Sequence, residues 1–352
     1  MLESVVTRQA GDQRYFLRPL LHRIATHALF LMAAVVSEAT IASAHAADTA
    51  PRPNLVFILA DDLGYGELGC YGQTVIQTPQ LDLMAKQGLR FTHFYAGATV
   101  CAPSRSVLMT GMHHGHTRVR GNAGRTNPAA QALQEGDVTV ARVLQQSGYR
   151  TALFGKWGLG IAENTLVVFT SDNGPHNESH HDLKRFNPSG PYSGIKRSLT
   201  DGGIRVPAIA WWPKQIAAGT ESPHVAYSGD WMATASELAQ ATPPAGIDSI
   251  SFVPTLKGHP DQQPEHEFLS WEFHEGGFRQ AALYRGRWKG IRTGSPDAPV
   301  QLFDTDTDVA EVHDMAKQHP EIAATIGTWL QSARTEIPAW EPKWESVQGG
   351  KK

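Results

Sequence analysis

Cysteine is almost absent from this sequence: 2 of 352 residues, Cys70 and Cys101. That excludes a disulfide framework as the source of stability. One Cys70–Cys101 bridge stays open in an oxidising compartment, but it would consume the side chain around which the chain is organised. Cys70, in Leu-Gly-Cys70-Tyr-Gly, reads instead as a small buried apolar residue. A basic surplus is missing too. The 31 lysines and arginines stand against 34 aspartates and glutamates, a net charge of −3. With no basic stripe to neutralise phosphates, no nucleic-acid partner is expected. Low-complexity tracts are lacking, and no stable membrane span is expected, since the apolar run Ala28–Val36 is too short to cross a bilayer. That run follows Arg8, Arg14, Arg18 and Arg23 and precedes Ala44-His45-Ala46, an A-x-A cleavage pattern. Residues 1–47 therefore read as a secretory signal peptide and the protein as exported, periplasmic or extracellular. The remainder is long enough for a full core and two domains: an α/β domain over 48–259 and a C-terminal α+β subdomain with its tail over 260–352.

What is present centres on Ala98-Thr-Val-Cys101-Ala-Pro103-Ser104-Arg105, followed by Ser-Val-Leu-Met-Thr110-Gly. It reads as a loop turning into a helix, with Pro103 in the first turn, where a missing N–H costs nothing. Cys101 then sits at a helix N-terminus, where the dipole and free N–H groups favour negative charge. Arg105 returns one turn later to the same spot as a fork for an oxyanion. The expected ligand is a tetrahedral anion.

Asn54–Ala60 and Thr165–Thr170 are continuous apolar runs of strand length, as in buried parallel strands. The first ends in Asp61-Asp62-Leu-Gly64, the second in Ser171-Asp172-Asn173-Gly174. Adjacent carboxylates repel unless a cation lies between them. The all-oxygen set Asp61, Asp62, Asp172 and Asn173 favours a hard cation, calcium before magnesium. His113, His114 and His116 have no carboxylate or cysteine interleaved at ligand spacing, so a polar loop is expected there, with Arg118 and Arg120 available to an anionic substrate. Helices are expected over 78–88, 138–146 and 227–239, and strands over 89–95 and 148–155. Beyond Pro260 the strands 268–273, 280–284 and 288–292 read as an antiparallel meander, completed by 301–304 and a helix over 321–333.

Cys101-Ala-Pro103-Ser104-Arg105 matches Cys-x-Pro-Ser-Arg, and Pro53–Asp62, Gly155-Lys156-Trp157, Ser171–Gly174 and Gly194-Ile-Lys196 surround it in order. On these blocks the chain resembles the formylglycine-dependent sulfatases of the alkaline phosphatase superfamily. The resemblance implies an α/β fold with a mostly parallel central sheet flanked by helices and a small C-terminal antiparallel sheet, with 205–213 as a further core strand. It implies arylsulfatase-like hydrolysis of a sulfate-ester substrate. Cys101 would be oxidised to formylglycine (3-oxoalanine) by a formylglycine-generating, sulfatase-maturating enzyme. Asp61, Asp62, Asp172, Asn173 and the modified Cys101 would hold Ca²⁺, and Arg105, Lys156 and Lys196 would hold the sulfate. The family's Gly-Lys-Trp-His block ends here in Gly158. His176, or His180-His181 nearby, is available as a proton donor to the substrate; Arg205 is expected to be structural, and His274 and Glu275 to serve the pocket's rim or the fold, ahead of a role bordering the pocket.

Only 158–164 separate Trp157 from the strand at Thr165. Two parallel strands that both carry site residues at their C-terminal ends need a crossover of about a dozen residues or more. The resemblance implies a segment missing between Gly160 and Ile161, which in the family carries further strands, substrate-binding loops and the histidine that protonates the leaving alcohol. The N-terminal domain is thus expected to be internally truncated and its activity impaired. Two other readings stay open: an inactive remnant of the fold that binds anions, or a phosphodiesterase or phosphonate hydrolase of the same superfamily, built on a transition metal with more histidine ligands.

Overall fold

The computed structural model describes residues 52–122, 132–152, 164–178 and 181–335. The expected signal peptide, the strand over 153–155, Lys156, Gly158, the junction at Gly160–Ile161, His180 and the tail past 335 lie outside the described residues. In chain order the strands are β1 (Asn54–Ala60), β2 (Leu89–Phe91), β3 (Phe94–Tyr95), β4 (Thr165–Ser171), β5 (Ala208–Trp211), β6 (Thr220–Ser222), β7 (Ala226–Tyr227), β8 (Phe268–Glu272), β9 (Arg279–Tyr284), β10 (Trp288–Thr293) and β11 (Gln301–Asp304). The helices are α1 (Pro79–Gln87), α2 (Cys101–Thr110), α3 (Val140–Gln146), α4 (Leu183–Phe186), α5 (Asp201–Ile204), α6 (Trp231–Leu238), α7 (Val253–Leu256) and α8 (Pro320–Ser332).

The central sheet runs β1-β4-β5-β2-β6. β1 and β4 are parallel, β2 and β6 are parallel, and β5 is antiparallel to both of its neighbours. Four of the five strands therefore share one direction, as expected, and only β5 is reversed. β5 is shorter than the 205–213 expected because Pro207 and Pro213 bracket it, each lacking the N–H a ladder needs. β1 departs from expectation more clearly. Among the described residues it lies at the edge of the sheet and its apolar side chains are only half-buried, while β4 beside it is buried throughout. The β1–β4 register runs from Asn54 opposite Thr165 to Ala60 opposite Ser171. Both strands thus end at the same level, and whatever follows each emerges side by side.

The strand expected over 89–95 is two short strands. At the break, the Thr92 carbonyl accepts hydrogen bonds from Arg205 Nε and Nη2, at 3.1 and 2.8 Å, in place of a ladder partner. The stretch 148–152 forms no strand. The Gly148 and Tyr149 N–H groups fold back onto the last carbonyls of α3, Gln145 and Leu144, and Gly148 takes φ 85, a C-terminal cap rather than an extension. The helix expected over 227–239 begins as a 3₁₀ turn, Ser228–Asp230, because the buried Asp230 carboxylate accepts the Tyr227 and Ile250 N–H groups.

The C-terminal expectation holds closely: β8 to β11 form an antiparallel sheet in the order β11-β10-β9-β8, and α8 packs Ile326 and Leu330 against Ala282 and Leu302. The described residues from Arg52 to Thr335 pack as one compact unit. A buried ionic cluster joins the layers. Lys289 of β10 meets Asp201 and, at 2.9 Å, Glu311, while Arg205 meets Asp201 at 2.9 Å. Arg205 is therefore a buried structural cation, as expected.

Candidate active site

The common end of β1 and β4 delivers Asp61, Asp62, Asp172 and Asn173 to one place. Asp62 turns back in the left-handed region, φ 59, and its N–H donates to Asp172 Oδ1 at 3.0 Å. Asn173 Nδ2 donates to Asp62 Oδ1 at 2.6 Å. The turn at Gly174 passes so close to α5 that a Cβ there would meet the Gly202 carbonyl at 2.0 Å, so only glycine fits.

The N-terminus of α2 faces this cluster. Asp61, Asp62 and Cys101 bring ligand atoms within 4.8 Å of one another. Arg105 Nη2 lies 3.3 Å from Asp61 Oδ1 and 3.2 Å from Asp172 Oδ2. Lys196 completes the set, with Nζ at 2.6 and 2.7 Å from the two Asp62 oxygens and 3.4 Å from Cys101 Sγ. Asp61, Asp62, Cys101, Arg105, Asp172, Asn173 and Lys196, drawn from four separate segments, are thus assembled as the sequence reading required. Lys156 lies outside the described residues.

Charge balance decides the protonation states. Burial, together with Asp61 and Asp62, pushes the Asp172 carboxyl above its ordinary range. Burial would raise Asp62 too, but hydrogen bonds from Lys196 and Asn173 outweigh it and hold Asp62 low. Lys196 is pulled down by burial and raised more by Asp62 and Cys101, so it stays an ammonium. Burial and then Asp172 raise the Cys101 thiol, which leaves it protonated at neutral pH and a poor nucleophile as it stands.

Three carboxylates face two cations here, and Asn173 Oδ1, fully buried, has no hydrogen-bond partner among the described residues. An orphaned buried acceptor costs free energy. One on a side chain whose Nδ2 binds the Asp62 carboxylate fits an oxygen-loving divalent cation. Both cysteines are free, so the Cys70–Cys101 bridge does not form. Cys70 is half-buried, its thiol pushed up to about 12 by burial and by Asp82.

His176 follows the Asn173–Gly174 turn. Its Nδ1 accepts the Glu178 N–H at 3.0 Å, which puts the proton of a neutral ring on Nε2. His181 donates from Nδ1 to the His176 carbonyl at 3.0 Å and faces Glu67 at 3.3 Å, so it braces that loop.

The histidine-rich stretch is not the polar loop expected. His113 and His114 are buried, and Asp248, from far along the chain, brings a carboxylate beside His113 and His116. Spacing in sequence could not reveal that. The Gly115 N–H donates to His113 Nδ1 at 3.0 Å, so the neutral ring carries its proton on Nε2, the nitrogen facing Asp248. This is a hydrogen-bonded core cluster. Arg118 is paired to Asp137 at 2.8 and 2.9 Å, and the buried Arg120 donates to the Thr117 and Thr335 carbonyls. His274 binds Glu272 at 3.0 Å in the interior, a fold role as expected.

Two residues escaped sequence reasoning. Asn122 Oδ1 accepts the Ala102 N–H at 3.0 Å and caps the first turn of α2; nothing in the local sequence marks it. Arg197 holds φ 78 immediately after Lys196. A left-handed non-glycine residue costs about 1–3 kcal/mol. Its exposed ion pair with Glu178, 3.0 Å, returns about 0.2–1 kcal/mol.

A family model described as Sulfatase matches residues 53–164 and 159–241, two stretches that overlap at the short connection before β4. Arylsulfatase A of Homo sapiens is 35% identical over 206 residues, 52% of this chain and 38% of that protein. Steryl-sulfatase of Mus musculus is 38% identical over 176 residues, 48% of this chain and 26% of that protein. The chain thus spans well under half the length of these relatives. A solved structure from the Bacteroides thetaiotaomicron locus for metabolism of multiple glycosaminoglycans shares the fold, with TM-score 0.65 at 19% identity over 81% of this chain and 100% of that one.

Proposed function

This chain belongs to the sulfatase family, and we propose on that basis that it is an exported sulfuric ester hydrolase of arylsulfatase type. One observation carries the proposal: Cys101, Asp61, Asp62, Asp172, Asn173, Arg105 and Lys196 converge on one point, with the thiol protonated and the Asn173 oxygen without a partner among the described residues. Asp61, Asp62, Asp172 and Asn173 would hold calcium, which would supply Lewis-acid charge, and formylglycine formed from Cys101 would supply the nucleophilic oxygen.

The remaining roles belong to the chain itself. Arg105 and Lys196 are held by carboxylates that a divalent cation would share, and a sulfate oxyanion then takes their donors. Asp62, Asp172 and Asn173 orient the metal side of the site. α2 presents position 101 at its positive end. His176, with its proton on Nε2, donates toward the leaving oxygen in the absence of the family's second histidine. The split family match supports a missing internal segment, and with it a weakened supply of acid to the leaving alcohol. Aryl esters, whose leaving groups need little protonation, should therefore turn over in preference to alkyl esters.

The test is to co-express the chain with a formylglycine-generating enzyme. Mass spectrometry of the peptide spanning Cys101 confirms the aldehyde, and aryl sulfate, alkyl sulfate and aryl phosphonate esters are then compared. Aryl sulfate turnover that is lost in C101A is expected. Preferential alkyl sulfate or phosphonate cleavage, or no turnover with the aldehyde confirmed, would sink the proposal.

A further inference from the structure

The backbone around Lys196 poses a question that holding one sulfate does not answer. Ile195–Ser198 is a turn closed by the Ser198 N–H on the Ile195 carbonyl at 2.8 Å, and Arg197 is its third residue, at φ 78. That position in a turn favours glycine, which adopts a positive φ without strain. The turn is fixed at both inner residues: the Lys196 N–H donates to the Pro175 carbonyl at 2.8 Å, and the Arg197 N–H to the Thr99 carbonyl, two residues before Cys101, at 2.9 Å. The two side chains part company. Lys196 is 8% exposed and reaches Asp62 and Cys101, while Arg197 is 42% exposed and meets Glu178, itself 54% exposed. Glycine would build the same turn at no conformational cost, and the exposed ion pair does not make good the difference. The guanidinium belongs to the residue after the cation that faces Cys101, and it is paired on the solvent side to an exposed carboxylate.

We propose that Arg197 is a specificity-determining residue that binds a second oxyanion on the leaving-group side of the ester, with Glu178 as the resting counter-ion that this oxyanion displaces. The substrate class is then a sulfate ester carrying a further carboxylate or sulfate rather than a singly charged one. This rests on the sulfatase reading, since it takes the site at Cys101 as the place where the first sulfate sits. Arg, unlike Lys, offers a planar fork matched to such a group.

Isothermal titration with two sulfonates that cannot be hydrolysed, benzenesulfonate and 3-carboxybenzenesulfonate, tests this on the full, matured chain without depending on turnover. The wild type should bind the carboxylated compound about tenfold more tightly, the gain of one charge-assisted bidentate contact. Arg197→Gln should erase that preference while still binding benzenesulfonate. Arg197→Gly should erase it too, with an unchanged or higher melting temperature, which separates loss of the contact from loss of the fold. Glu178→Gln should strengthen binding of the carboxylated compound. Equal affinities in the wild type, or Arg197 variants that weaken both sulfonates alike, overturn the assignment of Arg197 alone. Failure of both sulfonates to bind overturns the sulfate cradle itself and this assignment with it.

Discussion

On the proposed reading, calcium held by the carboxylate cluster at the end of β1 and β4 is a measurable part of the protein's stability. Asp172 is fully buried next to two further carboxylates, its carboxyl is raised by burial and by Asp61 and Asp62, and Asn173 Oδ1 has no partner among the described residues. A divalent cation meets all three deficits at once and has no comparable site on the unfolded chain. At free calcium about 100 times the dissociation constant, linkage gives about 2.7 kcal/mol. Unfolding entropy of about 2.1 cal/mol/K per residue, summed over Arg52–Lys352, is about 0.6 kcal/mol/K, so the melting midpoint should rise by about 4 °C.

Differential scanning calorimetry in calcium and in chelator at fixed pH reads that shift. Asp172→Asn supplies the decisive contrast. The amide oxygen can still accept the Asp62 N–H, 3.0 Å away in the wild type, while the buried negative charge is gone. The calcium-free variant should melt higher than calcium-free wild type, because like charges no longer crowd the site. Its response to calcium should fall to near zero. A shift that survives in Asp172→Asn would place the cation elsewhere. A larger shift with zinc than with calcium would contradict the hard-cation reading and favour a transition-metal hydrolase.

Three further predictions concern the frame around the site. Burial pushes His113 and His114 down from the ordinary 6.5 to about 4, and His114 is locked neutral, accepting the Glu272 N–H at Nδ1 and donating from Nε2 to the Arg120 carbonyl. The unfolded chain takes up these protons first, so stability present above pH 6.5 is lost as pH falls towards 4, at most about 3 kcal/mol per ring. Melting temperatures should fall over that window, less steeply in His114→Gln, and a flat profile would contradict the assignment. Asn122→Ala removes the cap on the Ala102 N–H and should cost about 1 kcal/mol, about 2 °C, in thermal unfolding, with Asn122→Asp retaining most of it. Asp201→Asn leaves Lys289 and Arg205 without their shared carboxylate and should cost about 3–5 kcal/mol in urea titrations; a neutral effect would mean Glu311 alone balances the cluster.

How much of this was legible in the sequence depends on whether the controlling interaction is local. The apolar runs of β1 and β4 and the carboxylates ending them could be read directly, because strand length, burial and the change to polar residues all lie within about ten residues of chain. The N-terminus of α2 was legible for the same reason, and so was the antiparallel meander. The failures are non-local. β1 is half-exposed because, among the described residues, nothing lies beyond it in the sheet. Asp248 converts a histidine cluster into buried core from 132 residues away. Thr92 is taken out of its strand by Arg205.

The same distinction bears on the short connection before β4. Four anchor points, the ends of β1 and β4, the start of α2 and the 195–198 turn, carry the carboxylates, Cys101, Arg105 and Lys196. They are tied to one another directly, by the β1–β4 register, the Arg105 pairs with Asp61 and Asp172, the Lys196–Asp62 pair and the Arg197 N–H on Thr99. None of these ties passes through residues 153–163. On the proposed reading, a shortened connection therefore weakens the supply of acid to the leaving group while the carboxylates, Cys101, Arg105 and Lys196 stay assembled. Anion binding and turnover should separate in this chain, with sulfonate affinity surviving conditions or variants that abolish hydrolysis.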